Sequence, residues 1–220
     1  MSNIEVVEPS VELITPVDQL LTYPALIERA CRTCYASEDK IGEGSAERLI
    51  SMCIKNGHHS ILEHCVVSYR FICSRACSHQ VVRSRIASYS QASQRFIDSS
   101  KKGMQIIVPP SIKTAKNPNT LEYFVLTCQQ TYDSYLSLRD AGVLPEDARF
   151  LLPNACATNV FTTMNLRAWR HFIEMRGLNP HAQWEIRKLA LNILYELNNY
   201  IPVFFRDLVD QLKPKEIKNG

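Results

Sequence analysis

Apolar positions along the chain recur with helical spacing in some segments and alternate in others. Residues 17–34 have helical spacing, and Tyr23-Pro24 indicates a break there, because proline suits the first turn of a new helix. Residues 65–73 are rich in β-forming side chains with partial alternation, which predicts a strand, and Ser74 is placed to cap a following helix. Further helices are predicted at about residues 45–57, 74–82, 119–140, 145–152, 165–176, 180–199 and 203–212, and further strands at residues 106–109 and 157–164.

The order of these elements bears on the fold class. Strands and helices mix without regular βαβ alternation, which favours an α+β fold over a doubly wound sheet. The sequence contains no G-x-G-x-x-G, so a dinucleotide is not expected to bind in Rossmann fashion. We find no internal repeat or long linker, and 220 residues suit one domain over residues 1–220.

Composition and charge exclude some classes of function. A net charge of +3 is too small to imply binding to nucleic acid or to a membrane surface. The first ten residues contain no apolar signal segment, and no apolar run approaches the roughly 20 residues that span a bilayer, so a cytoplasmic protein is expected. Eight cysteines are expected to be free thiols in that compartment. Because Cys31 and Cys34 form a lone CxxC, no metal site is predicted.

One stretch of the chain has an uneven charge. Residues 64–97 contain no Asp or Glu, although acids are common elsewhere. Guanidinium groups with short hydroxyl side chains are the donors that a phosphate site needs. The arginines of this stretch are Arg70, Arg75, Arg83, Arg85 and Arg95, and the serines that accompany the last of them are Ser84, Ser88, Ser90 and Ser93.

Three interpretations of this stretch remain open on the residues alone. A solvated basic face is the usual fate of a charge run, but it would not need the small residues at Ala87 and Ala92. A nucleic-acid surface normally has more lysine and a larger net charge. Small residues allow a ligand to approach the backbone, so a small phosphorylated ligand is the favoured interpretation.

The same stretch resembles the signature of a known enzyme family. Residues 83–95, RSRIASYSQASQR, are similar to R-H-R-x-x-S-x-N-x-x-S-x-R of the flavin-dependent thymidylate synthases, and five of the seven fixed positions match. Residues 57–64, GHHSILEH, resemble the family's G-H-x-[ST]-x-x-E-H, and residues 148–153, ARFLLP, resemble A-R-x-x-L-P. The likeness covers roughly residues 25–200 in order, and its C-terminal part comprises residues 165–167, Arg176 and residues 181–185.

The resemblance implies a fold and an activity. The fold would be α+β, with a central, mostly antiparallel sheet flanked by helices. The activity would be reductive methylation of dUMP to dTMP, with 5,10-methylenetetrahydrofolate as carbon donor and FAD and NADPH as reductants. Family members are homotetramers with sites shared between subunits, and neither nucleic acid nor membrane would be a partner. The sequence contains no Pro-Cys segment of the kind that supplies the nucleophile of other thymidylate synthases, which supports the flavin class.

The resemblance also implies roles for individual residues. Arg95 and Arg149 would clamp the dUMP phosphate, and Arg176 would be the catalytic group, stabilising negative charge on O4 and N3 of uracil. His58 would lie near the flavin and the folate. The residues implied to bind dUMP are Gln80, Arg83, Gln91, Ala92, Ser93, Gln94, Arg95, Arg149 and Arg176. Those implied to bind FAD are His58, Ser60, Arg83, Ser84, Arg85, Gln91, Asn165, Leu166, Arg167 and His171.

Two positions depart from the signature. Ser84 replaces its histidine, which in the family lies against the flavin, and Ser90 replaces its asparagine. These departures motivate two alternatives, an enzyme that modifies C5 of a related pyrimidine nucleotide such as UMP or dCMP, and a catalytically impaired flavoprotein. A nucleic-acid-binding module without enzyme activity is the third alternative.

Overall fold

The computed structural model describes residues 4–212. Within that range the helices are α1 Val17–Thr33, α2 Ser45–Lys55, α3 Arg75–Val81, α4 Ser99–Lys102, α5 Pro110–Lys113, α6 Thr120–Asp140, α7 Pro145–Ala148, α8 Leu166–Ile173, α9 Trp184–Tyr200 and α10 Arg206–Asp210. The strands are β1 Glu5–Val6, β2 Ser10–Leu13, β3 Val66–Ser74, β4 Ser88–Gln91, β5 Gln105–Ile106 and β6 Ala157–Asn165. Short 3-10 turns occur at Glu38–Lys40, His59–His64, Arg149–Leu151 and Pro202–Phe204, and a π turn at Glu174–Leu178.

The strands form two sheets. Four of them make an antiparallel sheet in the order β2-β3-β6-β4, while β1 and β5 pair in parallel with Glu5 opposite Gln105 and Val6 opposite Ile106. The predicted α+β class with a mostly antiparallel sheet is therefore confirmed. The described chain divides into two compact units, which we call unit 1 (residues 4–10, 71–83 and 90–160) and unit 2 (residues 11–70, 84–89 and 161–212).

Unit 1 has a core built around α6. Tyr132 and Tyr135 are buried side chains of this helix whose rings stack at a centroid separation of 6.2 Å. Their hydroxyls reach polar partners at the edge of the core, because Tyr132 donates to the carbonyl of Ser99 (2.8 Å) and Tyr135 to the carboxylate of Asp98 (3.0 Å). The remaining buried members of the core are Met104, Ile106, Val108, Cys128, Ala148 and Cys156.

Unit 2 has a core formed by α1, α2, α8 and α9. Trp169 of α8 is fully buried and meets the rings of Tyr69 and Phe172 edge-on, with centroid separations of 5.3 and 5.6 Å. Its indole N–H donates to the carbonyl of Val67 (2.9 Å), which ties α8 to β3. The buried side chains of α9 follow the helical period and are Glu185, Ile186, Leu189, Ala190, Ile193, Leu194 and Leu197.

Some element predictions are wrong in detail. The helix of residues 17–34 is not broken at Pro24, because Leu20, Tyr23 and Ile27 are buried on either side of the proline and hold the two halves of α1 as one helix. The strand predicted at residues 106–109 is only the pair Gln105–Ile106, since its partner β1 is two residues long.

Other differences concern the ends of elements and missed strands. The helix predicted to reach residue 176 ends at Ile173 and continues as a π turn, and the helix predicted at 145–152 becomes a 3-10 turn after Ala148. Strands β1, β2 and β4 were not predicted. None of the helices in residues 4–212 combines the length and the apolar character needed to cross a membrane. The single domain over residues 1–220 stays a prediction, and residues 1–3 and 213–220 lie outside the described range.

Candidate active site

A small cavity of unit 1 brings two arginines together. It has a volume of about 310 Å³ and lies between the start of α3 and the 3-10 turn that follows α7. Arg75 is supplied by α3 and Arg149 by the turn, while Gln94 comes from the signature segment. None of the described residues that line it is Asp or Glu. The cavity is therefore suited to an anion, and we call it the cationic cavity.

Arg75 is held at the cavity by the local structure of α3. The helix begins there because the Ser74 hydroxyl accepts a hydrogen bond from the Cys77 amide (3.0 Å), as an N-cap does. The Arg75 amide donates to the carbonyl of Cys156 (2.8 Å) and the Ala76 amide to that of Asn154 (3.2 Å). These amides are already used, so binding of an anion here rests on side chains.

The charges of the cavity are unbalanced. Burial, and then the positive charge of Arg149, lower the pKa of Arg75 below its ordinary value. The lowered pKa means that the protein disfavours the charged form of Arg75, although an arginine remains protonated at neutral pH. A bound dianion would relieve this repulsion, and paired guanidinium groups match the geometry of a phosphate.

Arg95 lies next to this cavity without lining it. Its Nε forms an ion pair with the carboxylate of Glu146 at 3.1 Å, and the Glu146 carbonyl accepts a hydrogen bond from Nε of Arg149 (3.0 Å). Glu146 therefore connects both of the arginines predicted to clamp a phosphate. Because the Arg95–Glu146 pair is about half exposed, it contributes at most about 1 kcal/mol, and a phosphate can displace it.

The signature segment is anchored to β6 and α3 just before it reaches the cavity. The side-chain amide of Gln91 donates to the hydroxyls of Ser78 (3.0 Å) and Thr158 (3.4 Å), and the Ala92 amide donates to the carbonyl of Asn159 (2.9 Å). The side-chain NH2 group of Gln91 thus helps to hold the segment, and the contact of Gln91 with a ligand stays a prediction.

A second cavity, of about 320 Å³, lies on this part of unit 1 and contains no charged residue among its described lining. Ala92, Ser93 and Gln94 line it from the signature segment, and Thr158 and Asn159 line it from β6. Gln94 is the residue common to both cavities. The neutral hydroxyl and amide groups suit an uncharged polar part of a ligand, and we call this second cavity the neutral cavity.

Of the other predicted dUMP residues, Gln80 and Arg83 lie at the end of α3, where the Arg83 amide donates to the Gln80 carbonyl (3.4 Å). Neither lines the two cavities. Arg176 belongs to unit 2, where it is half-buried in the π turn Glu174–Leu178. π turns inside helices occur often at functional sites.

The predicted flavin residues lie mostly in unit 2, and several gather at the start of α8. Asn165 caps this helix by accepting from the Ala168 amide (2.8 Å), and Arg167 in the first turn is paired with Glu63 at 2.6 Å. Ser60 lies in the same 3-10 turn as Glu63, and exposed His171 lies one turn after Arg167. A helix N-terminus with an arginine in its first turn fits an anionic cofactor such as a diphosphate.

Four further residues predicted to bind the flavin are Leu166, Ser84, Arg85 and His58. The Leu166 amide donates a hydrogen bond to the carbonyl of Cys65 (3.0 Å), so this N–H already has a partner within the protein. The Ser84 carbonyl accepts from the Tyr89 hydroxyl (3.1 Å), while Arg85 and His58 are exposed.

A larger cavity of about 1000 Å³ lies in unit 2 and includes none of the predicted site residues in its described lining. Its described lining contains four carboxylates and three cationic side chains, Lys55, Arg170 and Arg206, so it lacks the purely cationic character of the smaller cavity. The carboxylates belong to Glu47, Glu174, Asp207 and Asp210.

The sequence prediction missed two residues of the cationic cavity, Arg75 and His79. They lie four residues apart and therefore share one face of α3. Arg75 was counted in the acid-free stretch, and its position directly after the N-cap Ser74 is the signal that could have placed it at the start of a helix.

Comparison with known proteins decides the family. The family described as thymidylate synthase complementing protein matches residues 17–203. The chain belongs to this family. Among relatives, the flavin-dependent thymidylate synthase of Geobacter sulfurreducens is 40% identical over 191 residues, covering 83% of this chain and 81% of that protein. The enzyme of the same name from Thermococcus onnurineus is 39% identical over 182 residues, covering 81% and 73%. The family predicted from the signature is confirmed.

A solved structure has the same fold as this chain. The UMP/dUMP methylase PolB from Streptomyces cacaoi, bound with 5-Br dUMP, superposes with a TM-score of 0.76 over 96% of this chain and 97% of that one. The sequences are 21% identical, so the likeness concerns the fold.

Proposed function

We propose that this chain is a flavin-dependent thymidylate synthase that converts dUMP to dTMP. The observation that carries the proposal is the cavity in which Arg75 and Arg149 face one space without a carboxylate, next to the signature segment. The cavity, of about 310 Å³, has room for the phosphate group of a nucleotide beside Arg75 and Arg149.

In this proposal the phosphate is bound by Arg75 and Arg149, with Gln94 donating from the signature segment. Arg95 joins them when the phosphate replaces the carboxylate of Glu146. Ala92 and Ser93 have small side chains, so the sugar can approach the backbone. The neutral cavity on this segment then takes uncharged polar atoms of the nucleotide.

Arg176 is proposed as the catalytic group at the uracil ring. A guanidinium does not act as a base at neutral pH, but it stabilises negative charge that develops on O4 and N3, and this activates C5 as a carbon nucleophile. Cys73 and Cys77 are fully buried thiols, which supports a reaction without a cysteine adduct.

The flavin is proposed to bind at the start of α8, where Arg167 and Ser60 hold its anionic part and His171 lies alongside. Bound FAD supplies the redox chemistry, with NADPH as reductant and 5,10-methylenetetrahydrofolate as carbon donor. We also propose a cytoplasmic homotetramer whose active sites take residues from more than one subunit.

The test is an assay of the purified protein with FAD, NADPH and methylenetetrahydrofolate, with dTMP measured by mass spectrometry. We expect dUMP to be methylated, and deoxyuridine, which lacks the phosphate, to react at least about 30-fold less well. Loss of a hydrogen-bonded charge costs about 2–3 kcal/mol, so R149M should lower kcat/KM for dUMP by about 30- to 160-fold.

R70M is the matched control, because Arg70 is exposed and paired with Glu12 in unit 2, and it should leave kcat/KM unchanged. Equal turnover of UMP or dCMP would contradict dUMP as the substrate. A protein that binds FAD and makes no dTMP would contradict the enzyme function itself.

A further inference from the structure

Residues 92–98 comprise the end of the signature (residues 83–95) and the three residues that follow it, and cavities lie beside this segment. Ser93 and Gln94 line the neutral cavity, and Gln94 also lines the cationic one. Phe96 beyond them is 80% exposed. Packing therefore constrains the middle of this segment weakly. Besides the turn that joins the Ile97 amide to the Ser93 carbonyl (2.9 Å) and the half-exposed ion pair of Arg95 with Glu146, the geometry of the segment depends on how its two ends are held.

The first end is held at β6, where the Ala92 amide donates to the carbonyl of Asn159 (2.9 Å). The other end is held by Asp98. One carboxylate oxygen of Asp98 accepts from the Ser100 amide (3.0 Å), the Ser100 hydroxyl (2.7 Å) and the Tyr135 hydroxyl (3.0 Å). Its other oxygen lies 2.9 Å from the guanidinium of Arg139.

Two partners of Asp98 belong to α6, the helix around which the core of unit 1 is built. Tyr135 and Arg139 are one turn apart on α6, and Tyr135 is fully buried in the core. Arg139 also donates to the carbonyl of Val143, which fixes its side chain. The Asp98 and Arg139 side chains are only 14% and 20% exposed, so solvent screens this pair less than the surface pairs of the chain.

The charge of Asp98 also agrees with a role in holding the segment. It is the first acid after residues 64–97, and it is absent from the described lining of both cavities. Because Arg139 neutralises it, a carboxylate can stand four residues from Gln94 without opposing a phosphate.

We propose that Asp98 and Arg139 are positioning residues for the nucleotide. They fix the far end of residues 93–97, so that Gln94 and Arg95 are held at the cavity that Arg75 and Arg149 line. This inference rests on the proposed function, since the ligand positioned is dUMP.

The experiment compares wild type with D98N, in which the asparagine keeps the size and the acceptor for Ser100 and Tyr135 but loses the charge that binds Arg139. We expect KM for dUMP to rise by about tenfold, with kcat at saturating dUMP within about twofold and KM for NADPH unchanged. R139M should give the same increase, and the double variant D98N/R139M should be no worse than either single one.

The matched control is E8Q, which removes an exposed ion pair with Lys113 in the same unit and should leave KM for dUMP unchanged. Calorimetric titration with dUMP gives the same comparison without turnover, so it separates this inference from the proposed activity. Should D98N fail to fold, Y135F removes a single hydrogen bond to Asp98 and should raise KM by about threefold.

A lower melting temperature with an unchanged KM and Kd for dUMP would overturn the inference, because Asp98 would then only stabilise the fold. Wild-type protein that binds dUMP without forming dTMP would instead contradict the proposed function and leave the binding comparison in force.

Discussion

Arg75 and Asp98 have opposite charges, and their surroundings lower the pKa of both. Burial and the charge of Arg149 lower the pKa of Arg75, which disfavours its charged form. Hydrogen bonds from Arg139 and then from Ser100 hold the pKa of Asp98 well below its usual range, which favours its charged form. The charge of Arg75 therefore lowers the stability of the protein without a ligand, whereas the charge of Asp98 raises the stability of the protein.

The shift at Asp98 predicts how stability depends on pH. A carboxylate whose pKa is depressed in the folded state contributes stability above its unfolded pKa of about 4, and this contribution is lost as the pH falls toward the folded value. The groups facing Asp98 are Arg139, Tyr135 and Ser100, none of which titrates in that window. The difference in free energy of unfolding between wild type and D98N should therefore be constant from about pH 8 to 5 and shrink below about pH 4.

Urea unfolding of both proteins at a series of pH values measures this difference. Other carboxylates titrate in the same range, but they are common to both proteins and cancel. A difference that grows as the pH falls would contradict the depressed pKa.

The helix α3 depends on its cap. Ser74 is buried and accepts from the Cys77 amide, so S74A should lower the free energy of unfolding by about 1 kcal/mol and the melting temperature by about 2–4 °C. Because α3 carries Arg75 into the cationic cavity, KM for dUMP should rise as well. Calorimetry and the dTMP assay measure the two effects.

S134A is the comparison for this change. Ser134 is exposed on α6, and alanine is the better helix former, so S134A should not lower the melting temperature. An S74A protein as stable as S134A would show that the cap contributes nothing.

Elements with a strong pattern of buried side chains could be predicted from the sequence. The alternating strand β3, the capped α3 and the long α6 and α9 were placed within a few residues. Strand β4 could not be predicted from the sequence. Its four residues, Ser88–Gln91, show no alternation of apolar side chains, and the strand pairs with β6 only in the folded chain. The π turn around Arg176 could not be predicted either, because the apolar spacing of its residues continues that of the preceding helix α8.

The candidate site was predictable where a motif marks it. Gln94 and Arg149 came from the signature and from A-R-x-x-L-P, and both line the cationic cavity. Arg75 did not, because its place depends on hydrogen bonds from the start of α3 to the carbonyls of Asn154 and Cys156, far away in sequence. The roles of the predicted ligand residues remain predictions.

The surface of the whole molecule bears on assembly. Phe96, Tyr123 and Phe150 of unit 1 are 80%, 72% and 83% exposed, and aromatic side chains are enriched at protein–protein interfaces. We expect the proposed homotetramer to elute as a particle of about 100 kDa, since four chains of 25.1 kDa assemble. Light scattering coupled to gel filtration measures this mass.

An F150S variant should shift the mass toward smaller species, while S134A, at an exposed polar position of α6, serves as the control. A wild-type particle of one chain at micromolar concentration would rule out the tetramer.

Glu146 makes the cationic cavity more selective than two bare arginines would be. Before a nucleotide arrives, its carboxylate is the counter-ion of Arg95, so an anion bound by Arg75 and Arg149 gains Arg95 as a third partner only by exchanging with Glu146. A monovalent anion such as chloride gains nothing from this exchange, whereas a phosphate dianion can satisfy Arg95 together with Arg75 and Arg149. We therefore expect cellular salt to compete weakly with the substrate.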